Sequence, residues 1–414
     1  MNLILIGAGQ RGMIYAQYAF AHGHAVTAVA EPDDRRREAA REVFGLSSDA
    51  CFRTGEELLA KPRRAEAAII ATMDRNHYRQ AMAAMDLGYD LLLEKPISPD
   101  PAETLAIAGK ARETGRRVVV CHVLRYSPFF RKLKEILDSG ELGKIISVDH
   151  TENIGNFHIA HSFVRGNWRN QALSSPIILQ KSCHDLDLLL WLTGQSVRRI
   201  FSVGSLSFFR PENAPEGSTE RCLDCPVAEG CRFDARKAYL STVGEWPTAV
   251  LTKDQTEEGV LEALRTGPYG RCVYRCDNDV CDHQSVAMEY EDGATAVFTL
   301  CGMTDRMHRT IHIMCEHGEL EGDDDPGEIR VRHFRSSQAD TAEERFIRIG
   351  RVTGGHDGGD EALMDAFLSG GPGGSAVVTD VARSVESHLL AFAAEESRRT
   401  GQAVDMTAWV KRLR

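Results

Sequence analysis

The hydrophobic residues of the first 122 positions form short continuous runs that alternate with amphipathic stretches. Such runs are typical of strands buried on both faces, and we expect strands over 2–6, 25–31, 64–72, 89–94 and 117–122. The stretches between them predict helices over 13–21, 76–87 and 101–114. Strands that alternate with helices predict a doubly wound parallel sheet, so residues 1–122 should form an α/β domain.

The pattern changes after residue 122. A helix is predicted over 128–138, followed by strands over 144–152, 285–290, 294–300, 309–315, 328–334 and 345–349. Asp292-Gly293 between two of them is a hairpin signal. We expect a second, α+β domain over 123–414, built on an open, largely antiparallel sheet and interrupted by an insertion at about 205–275. One face of such a sheet meets solvent, so it should serve as the interface of a homo-oligomer, a dimer or tetramer.

A glycine-rich turn links the first strand to the first helix. Gly7 permits the tight turn, Gly9 lets the backbone approach a pyrophosphate, and Gly12 lets the helix pack closely on the strand. Gln10 and Arg11 lie within the turn and belong to the same predicted site. The helix N-terminus presents unpaired N–H groups to phosphate. This order of strand, glycine turn and helix predicts a Rossmann dinucleotide-binding site.

Glu31 ends the second predicted strand, where a carboxylate would accept hydrogen bonds from both ribose hydroxyls. A carboxylate there repels a 2′-phosphate, so NAD is favoured over NADP. Arg35 and Arg36 follow closely and could reach a phosphate, which leaves NADP open.

Parallel α/β sheets bind ligands beyond the carboxyl ends of their strands. We therefore expect one crevice to collect the residues that end the five predicted strands, namely Gly7, Glu31, Thr72, Glu94 and His122.

Composition narrows the class of protein. The 414 residues carry a formal net charge of -11, which argues against nucleic-acid binding. No apolar run is long enough to cross a membrane and no targeting segment is evident, so we expect a cytoplasmic protein with a small-molecule partner. Its 11 cysteines would then be free, metal-bound or reactive rather than paired in disulfides.

Four motifs taken in order resemble the Gfo/Idh/MocA oxidoreductase family: Gly7–Gly12, Glu94-Lys95-Pro96, Arg125-Tyr126 and Ser182–Asp187. The resemblance covers most of the chain and implies hydride transfer between a nicotinamide and a carbon of a sugar, cyclitol or related polyol. Two alternatives stay open. One is an NAD-dependent glycosidase that oxidises its sugar transiently, and the other is a cofactor-binding sensor without catalysis.

The resemblance also implies site residues. Lys95 would take the hydroxyl proton, and Pro96 after it resembles the family's cis-proline turn. His184 would contact the reacting hydroxyl, with Asp187 one turn away to orient it. Gln180 stands where many members have an aspartate, and Lys181 beside it is a candidate for the missing charge. Further cofactor contacts are expected at Asn76, His77, Trp168 and Arg169, and further substrate contacts at His122, Arg125, Tyr126, Lys181 and His356.

The cysteines of the insertion form a separate pattern. Cys222, Cys225 and Cys231 have the close spacing of zinc ligands, and Cys276 would complete a structural zinc site, with Cys272 as the alternative. The insertion has few apolar runs, so a metal would be its source of order. Free buried thiols are the other interpretation. An iron–sulfur cluster is less expected because hydride transfer needs no one-electron centre.

Overall fold

A computed structural model describes residues 1–350, 355–369 and 379–413. Its first sheet has six parallel strands in the order β3-β2-β1-β4-β5-β6. The strands are β1 Asn2–Ile6, β2 Ala25–Ala30, β3 Cys51–Phe52, β4 Ala67–Ile70, β5 Asp90–Leu93 and β6 Val118–Val120. The helices between them are α1 Gln10–Ala21, α2 Asp34–Phe44, α3 Gly55–Leu59, α4 His77–Asp86 and α5 Pro101–Thr114. The predicted parallel α/β sheet is confirmed, although the sequence patterns missed β3, α2 and α3.

Helix α5 shows why the ends of a helix can be predicted from the sequence. The Asp100 side chain accepts hydrogen bonds from the N–H groups of Ala102 and Glu103, and Pro101 occupies the first helical position. Gly115 ends the helix in the left-handed conformation, with a φ of 64°. These three residues therefore fix both ends of the helix locally.

The second sheet has nine strands in the order β14-β13-β12-β11-β7-β10-β9-β8-β15. They are β7 Ile145–Asn153, β8 Val197–Ser205, β9 His283–Tyr290, β10 Thr295–Cys301, β11 His308–Cys315, β12 Gly318–Asp323, β13 Glu328–His333, β14 Glu344–Arg348 and β15 Val404–Asp405. Strands β7 and β10 pair in parallel and the other pairs are antiparallel. The expected open, largely antiparallel sheet is confirmed, with β8, β12 and β15 as strands that the patterns missed.

The remaining helices are α6 Pro128–Asp138, α7 Asn156–Ile159, α8 Ile177–Gln180, α9 Cys183–Thr193, α10 Ala235–Leu240, α11 Glu257–Thr266, α12 Gly359–Ser369, α13 Val381–Thr400 and α14 Met406–Leu413. Helix α13 packs against α5 on one side and against β8 and α9 on the other. Helix α12 packs against α1, and Asp380 forms a bridge with Val119 of β6. Elements late in the chain therefore also pack against the N-terminal sheet and its helices, and the division expected at residue 122 stays a prediction.

The insertion has more core than its sequence suggested. Helices α10 and α11 enclose a small buried cluster formed by Cys222, Ala235, Tyr239, Val260 and Leu264. This small cluster was not evident from the sequence, because most of its apolar residues are spaced along two short helices rather than in continuous runs. In the described part of the chain, no helix is both long and apolar enough to cross a membrane.

Candidate active site

The glycine turn after β1 has the geometry that its residues predict. Gly7 has a φ of +94°, and a Cβ there would lie 2.5 Å from the carbonyl oxygen of Ala71. A Cβ on Gly12 would lie 2.0 Å from the carbonyl oxygen of Gly7, so the helix and the turn are in close contact. At Gly9 a Cβ would meet no atom within 4 Å. The space over Gly9 is open, and no side chain caps the N-terminus of α1, so the turn fits a dinucleotide pyrophosphate.

Glu31 lies directly after β2 and its carboxylate is buried beside this turn. Its Oε2 accepts a hydrogen bond from the Ala8 N–H at 2.8 Å, and its Oε1 accepts one from the Asp33 N–H at 3.1 Å. Arg36 forms an ion pair with Oε1 at 2.9 Å. The carboxylate therefore lies beside the glycine turn, as expected from the end of the strand. The guanidinium of Arg36 partly balances its negative charge.

The buried carboxylate of Glu94 forms an ion pair with the partly exposed Arg11. Glu94 Oε1 accepts hydrogen bonds from Arg11 Nε at 3.1 Å and from the Tyr15 hydroxyl at 2.8 Å. Burial alone would raise the pKa of Glu94, but the positive charges of Arg11 and Lys95 outweigh it and lower the pKa. Arg11 also donates to both carboxylate oxygens of Asp360. Its side chain thus ties α12 to the crevice, a contact that sequence reasoning missed.

Lys95 follows β5 at the mouth of the crevice, and its peptide bond to Pro96 is cis. The Lys95 ammonium donates a hydrogen bond to the backbone carbonyl oxygen of Gln180 at 2.9 Å. Position 180 therefore still contacts the lysine, although it does so through its main chain and without the carboxylate found in many family members.

His184 begins the first turn of α9 and meets two other histidines. Its ring centroid lies 5.5 Å from that of His122 and 6.2 Å from that of His356. Burial first, and then the positive charge of Lys95, hold the pKa of His184 well below its ordinary value. Its Nδ1 is buried without a hydrogen-bond partner in the structure. A neutral imidazole with an unsatisfied nitrogen suits contact with a hydroxyl group.

His388 of α13 contacts the turn that follows Lys95, and this contact was not predicted from the sequence. Its Nε2 accepts a hydrogen bond from the Ile97 N–H at 2.9 Å, and its Nδ1 lies 2.9 Å from the Ser384 carbonyl oxygen. One nitrogen must then accept and the other donate, which defines a neutral ring. Burial and the neighbouring His122 lower the pKa of His388 to about 3, in agreement with that geometry.

The expectation that Asp187 orients His184 is wrong. The Asp187 carboxylate is buried and receives two hydrogen bonds from the Arg125 guanidinium, at 2.6 and 2.7 Å. The helix turn points Asp187 away from His184 and toward the segment after β6. Tyr126 is also buried, with its hydroxyl 3.2 Å from that of Thr379. Arg125 and Tyr126 thus build the wall of the crevice, and their predicted substrate contacts stay predictions.

A second buried charge network adjoins Lys181. Arg309 pairs with Asp185 at 2.8 Å and with Glu152 at 2.5 Å, and the Lys181 ammonium lies 3.3 Å from the other Glu152 oxygen. Burial, with the nearby negative charge of Asp185, raises the pKa of Glu152 above its ordinary value, although Arg309 and Lys181 oppose the shift. The Lys181 ammonium is thus paired with Glu152, and its role as the charge that replaces the missing aspartate stays a prediction. Sequence reasoning missed Glu152, Asp185 and Arg309, although Asp185 directly follows His184 in the motif.

The predicted cofactor residues after β4 have mainly local partners. The Thr72 hydroxyl donates to Gln80 at 2.8 Å, and the Asn76 side chain accepts a hydrogen bond from Arg79 at 3.0 Å. His77 is buried, with one ring nitrogen 2.8 Å from the Pro96 carbonyl oxygen and the other 3.1 Å from that of Thr72. His77 therefore braces the turn after β5 against the end of β4.

Trp168 and Arg169 lie in the segment that faces the insertion. The Arg169 guanidinium forms an ion pair with Asp277 at 2.8 Å, and the Trp168 ring packs near Phe163. The adjoining residues do approach the crevice side, because the Gln171 carbonyl oxygen accepts a hydrogen bond from Arg75. A contact of Trp168 or Arg169 with the nicotinamide stays a prediction.

The insertion cysteines come together differently from the expected set. Cys222, Cys225 and Cys231 line one small cavity with Cys272, whereas Cys276 does not line it. The Cys276 thiol instead lies 3.3 Å from the Cys272 carbonyl oxygen. Among the described residues, no three cysteine sulfurs lie within 4.8 Å of one another. The structure thus does not assemble the predicted fourth ligand, because the turn after residue 272 directs Cys276 away.

Comparison with known families identifies the class of protein. Residues 1–122 match the family described as "Oxidoreductase family, NAD-binding Rossmann fold". Residues 130–321 match the GFO/IDH/MocA C-terminal domain. The chain therefore belongs to the Gfo/Idh/MocA oxidoreductase family, and the resemblance stated from its motifs is confirmed.

Individual relatives agree with this family. YteT of Bacillus subtilis, whose name describes it as an oxidoreductase, is 27% identical over 315 residues, which cover 73% of this chain and 72% of YteT. An inositol 2-dehydrogenase of Streptomyces avermitilis is 30% identical over 52% of this chain and 59% of that enzyme. The match thus spans less than two thirds of the dehydrogenase.

Solved structures share the fold over nearly the whole chain. An oxidoreductase domain protein from Kribbella flavida superposes with a TM-score of 0.72 at 16% identity, covering 98% of both chains. An Agrobacterium radiobacter oxidoreductase, solved with NAD+, L-tartaric acid and magnesium, gives 0.69 at 14% identity and covers 99% of both. At these identities the likeness establishes the fold alone.

Proposed function

We propose that the chain is an NAD-dependent dehydrogenase that oxidises a CH–OH group of a sugar, cyclitol or related polyol. The observation that carries the proposal is Lys95, whose ammonium lies at the carboxyl end of the parallel sheet and is aimed by the Gln180 carbonyl oxygen. The inositol 2-dehydrogenases among the matched relatives favour this activity over the glycosidase and the sensor.

The chemistry follows from two neighbouring groups. Bound NAD supplies the hydride acceptor. In its neutral amine form, Lys95 takes the proton of the substrate hydroxyl while the hydride leaves the carbon for the nicotinamide, and general bases of this kind contribute about 10²–10⁴-fold to a rate. His184 is held neutral and binds the same hydroxyl, which fixes the carbon for transfer.

Two residues support NAD over NADP without excluding the latter. The buried carboxylate of Glu31 suits ribose hydroxyls and repels a 2′-phosphate. Arg36 already pairs with that carboxylate, so it is less available to a phosphate. NAD is therefore the proposed cofactor.

The expected homo-oligomer has support on the second sheet. Phe201 and Val297 are exposed, and they flank Ala287 in one row across β8, β9 and β10. An apolar row on an open sheet face is typical of an interface between copies. Sedimentation analysis of the protein and of a Val297→Lys variant would test it. A cytoplasmic location stays a prediction.

The activity is tested by following NADH formation from NAD+ with a panel of inositols, free sugars and sugar acids. Steady NADH production with at least one of them supports the proposal, and its loss in the Lys95→Met variant ties the activity to the site. Release of an aglycone from aryl glycosides without net NADH would favour the glycosidase. Tight NAD binding with no turnover on either panel would favour the sensor.

A further inference from the structure

Four cysteine side chains of the insertion surround one small cavity that has no part in the proposed hydride transfer. Cys222, Cys225, Cys231 and Cys272 line it, and most of the other lining is apolar or aromatic, including Phe233 and Tyr274. Thiols that converge from separate segments on an enclosed, mainly apolar space are the arrangement of a structural metal site.

Local backbone structure places the first three cysteines around the cavity. Cys222 opens one 3₁₀ turn, Cys225 follows it, and a second 3₁₀ turn over Ala228–Gly230 leads to Cys231. The Cys225 N–H donates to the Cys222 carbonyl oxygen at 3.3 Å, and the Cys231 N–H donates to that of Ala228 at 3.0 Å. The two turns fold the segment back on itself, so that all three cysteines line the same cavity.

The fourth thiol arrives from a distant segment through backbone pairing. Arg221 and Arg271 form an antiparallel bridge, and the Cys272 N–H donates to the Glu220 carbonyl oxygen at 2.9 Å. Because the bridge is antiparallel, Cys222 and Cys272 lie on the same face of the paired segments as diagonal neighbours, and both line the cavity.

A buried cation, the guanidinium of Arg165, lies beside the cavity. Arg165 is only 2% exposed, and its guanidinium donates to the carbonyl oxygens of Phe233 at 2.7 Å and Arg271 at 2.8 Å. It also lies 3.4 Å from the Cys222 sulfur. Among the described residues, no carboxylate forms an ion pair with it. A buried charge is costly without a counter-charge, and ionised cysteines are the groups in place to provide one.

We propose that Cys222, Cys225, Cys231 and Cys272 bind one structural zinc ion as thiolates. Four thiols release four protons as the ion binds, and the resulting centre carries two negative charges, one of which Arg165 balances. The sulfurs must move inward to reach zinc–sulfur distances of about 2.3 Å. Cys225 and Cys231 lie on half-buried turns, so their segment has room to move.

The site would tie the insertion to the rest of the second domain. Arg165 ends the helical segment Ala160–Arg165, and its contacts reach both halves of the cysteine set. A closed tetrahedral site leaves no position for substrate or water, so its role is to stabilise the fold.

The first measurement is the metal content of the intact protein purified without chelator. Elemental analysis should give about one zinc per chain, as expected for a single four-ligand site. Replacement of zinc by cobalt(II) should give the intense thiolate-to-cobalt charge-transfer bands of a tetrahedral sulfur site. Protein free of metal, with all four thiols freely titratable or joined as disulfides, would overturn the proposal. Iron with acid-labile sulfide in place of zinc would overturn it equally.

A matched pair of variants then tests the ligand set. Cys272→Ser should lower the zinc content and the cobalt bands severalfold, whereas Cys276→Ser, four residues away, should leave both unchanged. The reverse result would assign the fourth ligand to Cys276 and refute the site proposed here. NAD affinity, measured by fluorescence, reports whether each variant has kept its fold. The metal analysis of the unmodified protein stands even if one variant fails to fold.

Discussion

The crevice of the first sheet and the cysteine cavity both collect polar side chains from distant segments, but they hold them differently. In the crevice each group is braced by a named partner: Glu94 by Arg11, Lys95 by the Gln180 carbonyl oxygen, and Ile97 by His388. The cysteine cavity has one buried guanidinium and sulfurs that stand apart. We conclude that these crevice groups are held by hydrogen bonds within the protein, whereas the proposed zinc ion would have to draw the sulfurs of the cavity together.

Among the variants that test this difference between the crevice and the cavity, we expect the largest effect on kcat at Lys95. Lys95→Ala should lower kcat by about 10²–10⁴-fold, because it removes the group that takes the hydroxyl proton, while NAD affinity changes little. Steady-state kinetics on the substrate found in the polyol panel would measure it. Lys61→Ala, which removes an exposed lysine, is the control. A Lys95 variant with nearly full kcat would show that Lys95 is not the general base of the reaction.

His184→Ala should have the next largest effect, a loss of roughly 10–100-fold in kcat, as expected for one strong hydrogen bond to the reacting hydroxyl. The Tm should fall only modestly. A strongly lowered Tm combined with unchanged specific activity at temperatures where the variant is folded would contradict this prediction. His184 would then be a packing residue of α9, and Lys95 would be the one proposed active group left in the crevice.

Substitutions at two glycines of the turn distinguish the role of helix packing from the role of cofactor approach. Gly12→Ala should lower the free energy of unfolding by about 1–3 kcal/mol, because its methyl group would collide with the Gly7 carbonyl oxygen. Gly9→Ala meets no atom within 4 Å, so stability should hold while NAD affinity falls about tenfold, equivalent to about 1.4 kcal/mol. Urea unfolding and fluorescence titration distinguish the two. Equal effects in both variants would contradict the open space over Gly9.

Acid should destabilise the crevice through its buried histidines. The pKa of His388 is lowered to about 3 in the folded protein, so below an unfolded pKa near 6.5 the unfolded chain binds the proton first. Stability is then complete above that value and is lost as the pH falls toward 3. At pH 5 the cost is roughly 2 kcal/mol for this residue.

His388→Gln should therefore shrink the difference in unfolding free energy between pH 7 and pH 5 by roughly 2 kcal/mol. Urea unfolding at both pH values measures the difference. The exposed His22→Gln is the matched control and should leave it unchanged. A difference that persists in full in His388→Gln would place the acid sensitivity elsewhere in the molecule.

The smallest expected effect concerns cofactor choice. Glu31→Gln removes the charge that repels a 2′-phosphate and frees Arg36 from its ion pair, so the preference for NAD over NADP should fall about tenfold. Fluorescence titration with both dinucleotides measures the ratio. Tighter NADP binding by the unmodified protein would show that Arg36, rather than Glu31, decides the choice.

The sequence by itself determined what depends on local backbone chemistry. The alternation of apolar runs and helices predicted the parallel sheet, and Gly7, Gly9 and Gly12 predicted the turn, because only glycine fits positions that are sterically closed to a Cβ or must stay open to a ligand. The strand pattern also predicted that Glu31, Glu94 and His122 lie along one edge of the sheet, because the carboxyl ends of parallel strands meet there.

Only the tertiary structure decided which side chains meet. Asp187 lies one turn from His184 in sequence, yet it binds Arg125, because helix packing and not spacing sets the direction of its side chain. His388 reaches the turn after Lys95 from nearly 300 residues away. Cys272 rather than Cys276 lines the same cavity as the other three cysteines, and a backbone bridge brings residue 271 beside residue 221. Contacts of this kind depend on long-range packing, which a local pattern of residues does not encode.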